Sequence, residues 1–203
     1  MELHYLNDSR AMRVVWLLEE LDLACDIIHY QRHRRSHRAP PALQAIHPLG
    51  KSPVLIDEGR TWAESAVILT YLARRYGPQW LPEAGTQADW ANQYWGHFAE
   101  GSLMPQLMLR LVVQKLGPLA WPIKAMVAEQ LRRHLDYGEQ ALGQQAWFLG
   151  EVISVADVMM SVPVALAVKR AGLSAQSHPN LWRWWQHVQA RPAYQRALSK
   201  GQA

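Results

Sequence analysis

The sequence predicts an α/β half followed by an all-helical half. Within residues 1–77, apolar segments with strand and helix spacing follow one another in the order βαβ, α, ββα. From residue 87 onward the apolar spacing is helical, and no strand signal competes with it. Residues 78–86 are rich in Pro and Gly, which is typical of a linker. We therefore expect an α/β domain over 1–77 and a helical domain over 87–203.

The N-terminal half opens with a strand–helix–strand unit. Residues 2–6 predict the first strand, and residues 10–21 predict a helix with one apolar face. Residues 25–30 predict a second strand, which should run parallel to the first because a helix connects them. A short helix opened by two prolines is expected over residues 40–45.

A hairpin and a helix complete this half. Val54 begins a short aliphatic run typical of a buried strand, and Glu58-Gly59 favours a tight turn into a second strand. A third helix is expected from Glu64 to about residue 76.

In the C-terminal half, Pro105 should kink the first helix, and Ser154 with Asp157 forms a capping box. We assign this box to folding, because it precedes a segment that is apolar almost all round and should be central. The predicted helices cover residues 87–114, 120–145, 158–168 and 181–189, and a last one starts at 192.

Composition indicates a globular protein. The chain has 203 residues, of which 49% are hydrophobic and 19% charged. Its one cysteine, Cys25, excludes an intrachain disulfide and favours a reducing compartment. The N-terminus lacks the features of a signal peptide, and the longest apolar run falls short of the roughly 20 residues that span a bilayer. We expect a cytoplasmic protein that does not enter membranes.

The formal charge of +4 attracts anions in general. Four arginines and two histidines crowd into residues 31–38, which we interpret as a solvated loop. The alternative is a rim that attracts anionic partners; nucleic acid is the less favoured partner, because no aromatic residues are interleaved with the arginines. The histidines are scattered without ligand spacing, so no metal is expected.

Two features of residues 50–65 are unusual for a segment with a purely structural role. Pro53 stands at the mouth of a strand, where it cannot donate to the ladder. A cis Ser52–Pro53 bond would turn the Ser52 main chain toward a ligand. Glu64 and Ser65 open a helix, where free N–H groups and the dipole favour a carboxylate, and Glu64 could accept from an ammonium group. A γ-glutamyl peptide carries groups that match both features: an extended main chain for Ser52, and an amino-acid head group for Glu64 and Ser65.

These residues carry a resemblance to a known family. GKSPVL (residues 50–55) with Glu64-Ser65 resembles the glutathione site of the glutathione S-transferase family. Further similarity to its bacterial and fungal members lies in WLLEEL (16–21), HPLGKSP (47–53) and YWGHFAEGSLMP (94–105), and the resemblance covers nearly the whole chain. It implies a thioredoxin-like N-terminal domain, a cis proline, and glutathione held by Lys51, Ser52 (main chain), Pro53, Glu64 and Ser65. Gln44 and His47 are weaker candidates.

The resemblance also implies a catalytic serine after the first strand, a position that Ser9 occupies. A hydroxyl there could donate to a thiolate, although Ser9 could instead only cap the first helix. Tyr5 and Asn7 are alternative donors. No cysteine lies near this turn, which argues against thiol-exchange members of the family.

The implied activity is conjugation of glutathione to small hydrophobic electrophiles. A non-catalytic binding protein, or a glutathione-dependent peroxidase or lyase, remains an alternative. The family also implies a homodimer, N-half against the partner's C-half. The acceptor pocket is assigned to the helical domain, where the candidate residues belong equally well to a core stripe: Tyr94, Trp95, Phe98, Ser102 and Met108.

Overall fold

The structure is a computed structural model that describes residues 1–201. Two compact units are present: one contains residues 1–81 and 189–201, and the other contains residues 82–188. The first unit holds the sheet and the second is helical. The predicted fold class, an α/β thioredoxin-like half with an all-helical half, is therefore confirmed.

A four-stranded sheet organises the first unit, in the order β2-β1-β3-β4. Strand β1 pairs in parallel with β2, and β3 is antiparallel to both β1 and β4. At the turn between β3 and β4, Glu58 and Gly59 both have positive φ, +48° and +73°, which suits the predicted hairpin. The strands are β1 (Glu2–Leu6), β2 (Asp26–Tyr30), β3 (Val54–Asp57) and β4 (Arg60–Ala63).

Nine α-helices lie within residues 1–201, and their bounds agree with most of the predicted segments. They are α1 (Ala11–Glu20), α2 (Pro41–Ile46), α3 (Ser65–Tyr76), α4 (Gln87–His97), α5 (Met104–Leu116), α6 (Trp121–Leu142), α7 (Val155–Ala171), α8 (Pro179–Ala190) and α9 (Pro192–Gly201).

Helix α9 differs from the expected domain division, because it packs on α1 rather than on the helical unit. Trp16 of α1 meets Tyr194 of α9 edge to face, with ring centroids 5.1 Å apart. Arg191 donates two hydrogen bonds to the Glu20 carboxylate, and further cations of α9 pair with Glu19. Both glutamates lie opposite the apolar face of α1, yet their side chains are only 9% exposed.

The predicted helix over 87–114 is interrupted earlier than expected. Residues Phe98–Leu103 form a π-helical segment between α4 and α5, in which the Met104 N–H bonds five residues back to the Ala99 carbonyl. Pro105 follows at once, and its ring lacks the N–H that a regular helix would use. The wider π turn is one of the ways in which a helix changes direction before a proline.

The core of the helical unit is built around α7, as expected. The Asp157 carboxylate is fully buried and accepts hydrogen bonds from the Ser154 and Phe148 N–H groups and from the Trp184 indole. Asn92 of α4 also accepts a hydrogen bond from the first turn of α7. The capping box joins α8 and the segment around Phe148 to the start of the central helix, and Asn92 joins α4 to it through the next residue, Ala156.

Within residues 1–201, no helix combines the length and the apolar character needed to traverse a bilayer.

Candidate active site

The strand register brings three segments to one end of the sheet. Val54, the first residue of β3, pairs with His4 on β1 and with Ala63 on β4. Because both pairings are antiparallel, the residues just before Val54 lie beside those that follow His4 and Ala63. The loop before β3 therefore meets the turn after β1 and the start of α3.

The Ser52–Pro53 peptide bond is cis, as the resemblance implied, and Pro53 is buried. The Ser52 hydroxyl accepts a hydrogen bond from the Leu6 N–H at 3.0 Å and donates one to the His4 carbonyl at 2.9 Å. Both of these β1 residues are buried. The Ser52 side chain thus ties the proline loop to the neighbouring strand.

Ser9 lies in the turn between β1 and α1 and is half-buried. Its Oγ is 3.2 Å from the Ser52 Oγ and accepts a hydrogen bond from the Ala11 N–H, also at 3.2 Å. The bond from Ala11 uses a lone pair and leaves the hydroxyl proton for another acceptor. Holding the start of α1 and donating a proton are therefore compatible roles for Ser9.

Helix α3 starts at the same end of the sheet. Glu64 is exposed and has φ +67°, while Ser65, the first residue of α3, is buried. The first backbone hydrogen bond of the helix runs from Ile68 N–H to the Glu64 carbonyl at 3.0 Å. The N–H groups of residues 65–67 therefore precede the first hydrogen bond within the helix and lie at the positive end of its dipole. Such a helix start suits a carboxylate.

The loop before Ser52 is closely packed at Gly50. This glycine is buried with φ +55°, and a Cβ built on it would lie 2.7 Å from the Gln44 Cγ. Its N–H donates to the His47 carbonyl at 2.8 Å. The next residue, Lys51, is exposed and carries its charge beside the proline loop.

The alternative donors have other contacts. Asn7 accepts hydrogen bonds from the Arg32 N–H through its Oδ1, at 2.7 Å, and from the Arg32 Nε through its carbonyl, at 3.0 Å. Tyr5 is buried, its ring lies 5.2 Å from that of His29 in a tilted arrangement, and its hydroxyl is close to Gly201 at the end of α9. Burial, with a smaller contribution from the Asp8 charge, raises the pKa of Tyr5. Ser9, in contrast, has its hydroxyl in contact with that of Ser52.

Cys25 lies away from this site. It precedes β2, whose first residue, Asp26, pairs with Glu2 at the opposite end of β1. Burial raises the pKa of the Cys25 thiol to about 11, so it is protonated at neutral pH. A thiol in that state is a poor nucleophile.

Sequence reasoning missed two residues that shape the site. Arg32 was placed in a solvated basic run, but its side chain also donates to the His37 carbonyl at 3.2 Å and braces the turn after β1. Nothing in the run distinguishes this arginine from its neighbours. The side chain of Ser52 was also overlooked, although a hydroxyl beside the buried start of a strand is expected to form hydrogen bonds.

Some of the residues expected to line the pocket for the acceptor substrate lie in the core, and others lie nearer the surface. Trp95 and Phe98 are buried and pack with Tyr137, at ring-centroid distances of 5.6 and 5.5 Å. These two belong to the core of the helical unit, which is the alternative that the sequence left open. Tyr94 and Met108 are 49% and 38% exposed, and Ser102 is half-buried.

Among residues 1–201, no three His, Cys, Asp or Glu side chains converge as a metal site would require.

Both halves of the chain match the profiles of known protein domains. The profile of the glutathione S-transferase N-terminal domain matches residues 2–74, and that of the C-terminal domain matches residues 122–192. Glutathione S-transferase 3 of Schizosaccharomyces pombe is 36% identical, over 98% of this chain and 86% of its own length.

Solved structures agree with this assignment. A glutathione S-transferase from Actinobacillus pleuropneumoniae superposes with a TM-score of 0.89 at 31% identity, over 100% of this chain and 93% of its own. A glutathione transferase from Burkholderia graminis, solved with two glutathione molecules bound per subunit, gives 0.83 at 26% identity, over 98% and 87%. With the proline loop, the serine turn and the α3 start in place, and with relatives matched along nearly its full length, the chain belongs to the glutathione S-transferase family.

Proposed function

We propose that this protein is a glutathione transferase that uses Ser9 to hold the thiolate of glutathione and conjugates it to small hydrophobic electrophiles. The observation that carries the proposal is the meeting of Ser9, Ser52–Pro53 and Glu64-Ser65 at one end of the sheet. In the reaction, the thiolate sulfur forms a bond to an electrophilic carbon, and the electron pair leaves with the displaced group.

Each end of glutathione has a matching group. The N–H groups at the start of α3 and the Ser65 hydroxyl suit the γ-glutamyl carboxylate, and Glu64 suits its ammonium group. The Ser52 main chain, next to Pro53, pairs with the extended peptide. Lys51 offers a cation for the glycyl carboxylate. Ser9 then faces the remaining group, the cysteinyl thiol.

The energy required is within reach of this donor set. A free thiol has a pKa of about 8.5, and lowering it by about two units takes roughly 2.7 kcal/mol. One hydrogen bond to a charged group contributes about 1.5–3 kcal/mol. The Ser9 hydroxyl, helped by the dipole of α1, can therefore keep bound glutathione largely ionised at neutral pH.

Glutathione titration tests the binding assignment. The variant that combines Glu64→Ala with Ser65→Ala should lose saturable glutathione binding, because it removes the ammonium acceptor and the hydroxyl donor. Glu58→Ala is the matched control: Glu58 is also an exposed glutamate, but it lies in the β3–β4 turn, at the other end of the hairpin, and pairs with Arg75. Calorimetry should show the control binding like the parent; equal affinity in the double variant would refute the site.

Products distinguish conjugation from the alternatives on the same site. With an aryl halide, conjugation yields a thioether and halide ion. With an organic hydroperoxide, peroxidase activity yields an alcohol and oxidised glutathione. A protein that binds glutathione but turns over neither substrate would instead be a non-catalytic binder. The exposed Tyr94 and Met108 and the half-buried Ser102 are the remaining candidates for contacts with the acceptor.

A homodimer is the proposed assembly, in the reducing cytoplasm that the single cysteine suggests. Large apolar side chains are exposed in both units, among them Val67 on α3 and Trp90 on α4, at 48% and 63%. Exposed apolar area of this kind is typical of interaction surfaces. Light scattering at micromolar concentration should give about twice the 23.2 kDa chain mass. A single monomer-sized species would contradict this assembly.

A further inference from the structure

We propose that the side chain of Ser52 is a positioning residue for Ser9, fixing where the Ser9 hydroxyl lies and which way its proton can turn. This role is separate from the main-chain contact with glutathione assigned to Ser52 above. It rests on the proposed function, since it acts through Ser9.

The first step concerns why the sheet holds a hydroxyl here. The β1–β3 ladder ends at the pair His4 and Val54, and the next residue back along the loop, Pro53, has no N–H. The Leu6 N–H and the His4 carbonyl are both met by the Ser52 Oγ, at 3.0 and 2.9 Å. A side chain thus replaces main-chain pairing where proline interrupts it. These two bonds fix the Ser52 Oγ to the strand.

The second step is a count of protons. A hydroxyl has one proton and two lone pairs. Ser52 donates its proton to the His4 carbonyl and accepts from the Leu6 N–H, so one lone pair remains. In the 3.2 Å contact between the two hydroxyls, Ser9 is therefore the donor. Ser9 is held from two sides, by this bond and by the one it accepts from Ala11.

The third step concerns the thiolate. Rotation about the Ser9 Cβ–Oγ bond is enough to turn the proton from Ser52 to a bound sulfur, because the Oγ itself stays in place. The Ser9 Oγ then has a second lone pair beside the one that Ala11 uses, and the Ser52 proton turns to it from the His4 carbonyl, so the contact between the two hydroxyls is kept with the direction of donation reversed. Without the Ser52 hydroxyl, Ser9 would keep only the bond from Ala11, its side chain could visit other staggered rotamers, and water would compete for its proton. Donation to the thiolate would weaken.

The test measures the thiol pKa of bound glutathione from the ultraviolet absorbance of the thiolate. Ser52→Ala should raise this pKa by about half a unit to one unit, with a fall in kcat/KM of about 1.5- to threefold at pH 7. Ser52→Thr keeps the hydroxyl and should restore the low pKa. Ser52→Val has the same shape as Ser52→Thr without the hydroxyl, so this pair repeats the comparison even if Ser52→Ala disturbs the loop.

A double-mutant cycle separates positioning from a merely structural role. If Ser52 acts through Ser9, then Ser52→Ala should shift the thiol pKa little in a Ser9→Ala background. Additive shifts, or an unshifted pKa in both Ser52→Ala and Ser52→Val, would overturn the inference while leaving Ser9 as the donor. If Ser9→Ala alone leaves the thiol pKa unchanged, the proposed role of Ser9 fails, and the role of Ser52 fails with it.

Discussion

Ser9→Ala is expected to lower kcat/KM for an aryl halide by about 4- to 40-fold at neutral pH, the largest catalytic effect that the structure predicts. The physical reason is the loss of one hydrogen bond to the thiolate, worth about 1.5–3 kcal/mol, or about one to two pKa units. Glutathione itself should still bind, because the α3 start and the proline loop are unchanged. The defect should therefore fall mainly on the ionised fraction of the bound thiol.

The pH profile gives the sharper measurement. Raising the thiol pKa moves the point at which the rate reaches its plateau to higher pH, so the variant should approach the parent as the pH rises toward about 9. A structural defect would instead lower the rate by a similar factor at every pH. Ser36→Ala, a substitution in the exposed loop after β2, is the matched control and should leave the profile unchanged. A parent-like pH profile in Ser9→Ala would remove Ser9 from the mechanism.

Features formed by residues close together in the sequence could be predicted, whereas contacts between residues far apart in the sequence could not. The hairpin turn at Glu58-Gly59 and the capping box at Ser154 depend on residues within a few positions of each other, so their patterns are visible in the chain. The contact between Ser9 and Ser52 spans 43 positions and exists because β1 and β3 pair in one particular register. Residue types alone suggested both serines, but not that their hydroxyls meet.

The packing of α9 on α1 is a second feature that the sequence did not reveal, and it involves contacts that stabilise the fold. Glu19 and Glu20 fall on the polar side of α1, and on an isolated amphipathic helix they would face water. Their pairing with Arg191 and other cations of α9 joins residues more than 170 positions apart. Charge pattern predicts that such residues are polar, whereas only the packed structure shows which partner covers them.

Asp157→Ala is expected to destabilise the helical unit by about 3–5 kcal/mol, a large share of the stability of an ordinary domain. The substitution leaves three buried N–H donors without an acceptor, those of Ser154, Phe148 and the Trp184 indole, and the Ser154 hydroxyl, a fourth donor, loses its partner. Each buried unsatisfied donor costs about 1–3 kcal/mol. Urea denaturation followed by tryptophan fluorescence should report the loss. Asp89→Ala is the matched control, because Asp89 also lies in a first helical turn but is only half-buried, and its carboxylate accepts a hydrogen bond from the Gly85 N–H.

The same carboxylate predicts how the difference depends on pH. Burial raises the pKa of Asp157 to about 6, against the lowering effect of its hydrogen bonds. A group whose pKa is raised on folding stabilises the folded state most at low pH and loses that contribution as the pH passes the folded value. The stability gap between the parent and Asp157→Ala should therefore shrink by about 1 kcal/mol from pH 5 to pH 7. A gap that stays constant over this range would mean that Asp157 is ionised throughout, and that its four donors outweigh its burial.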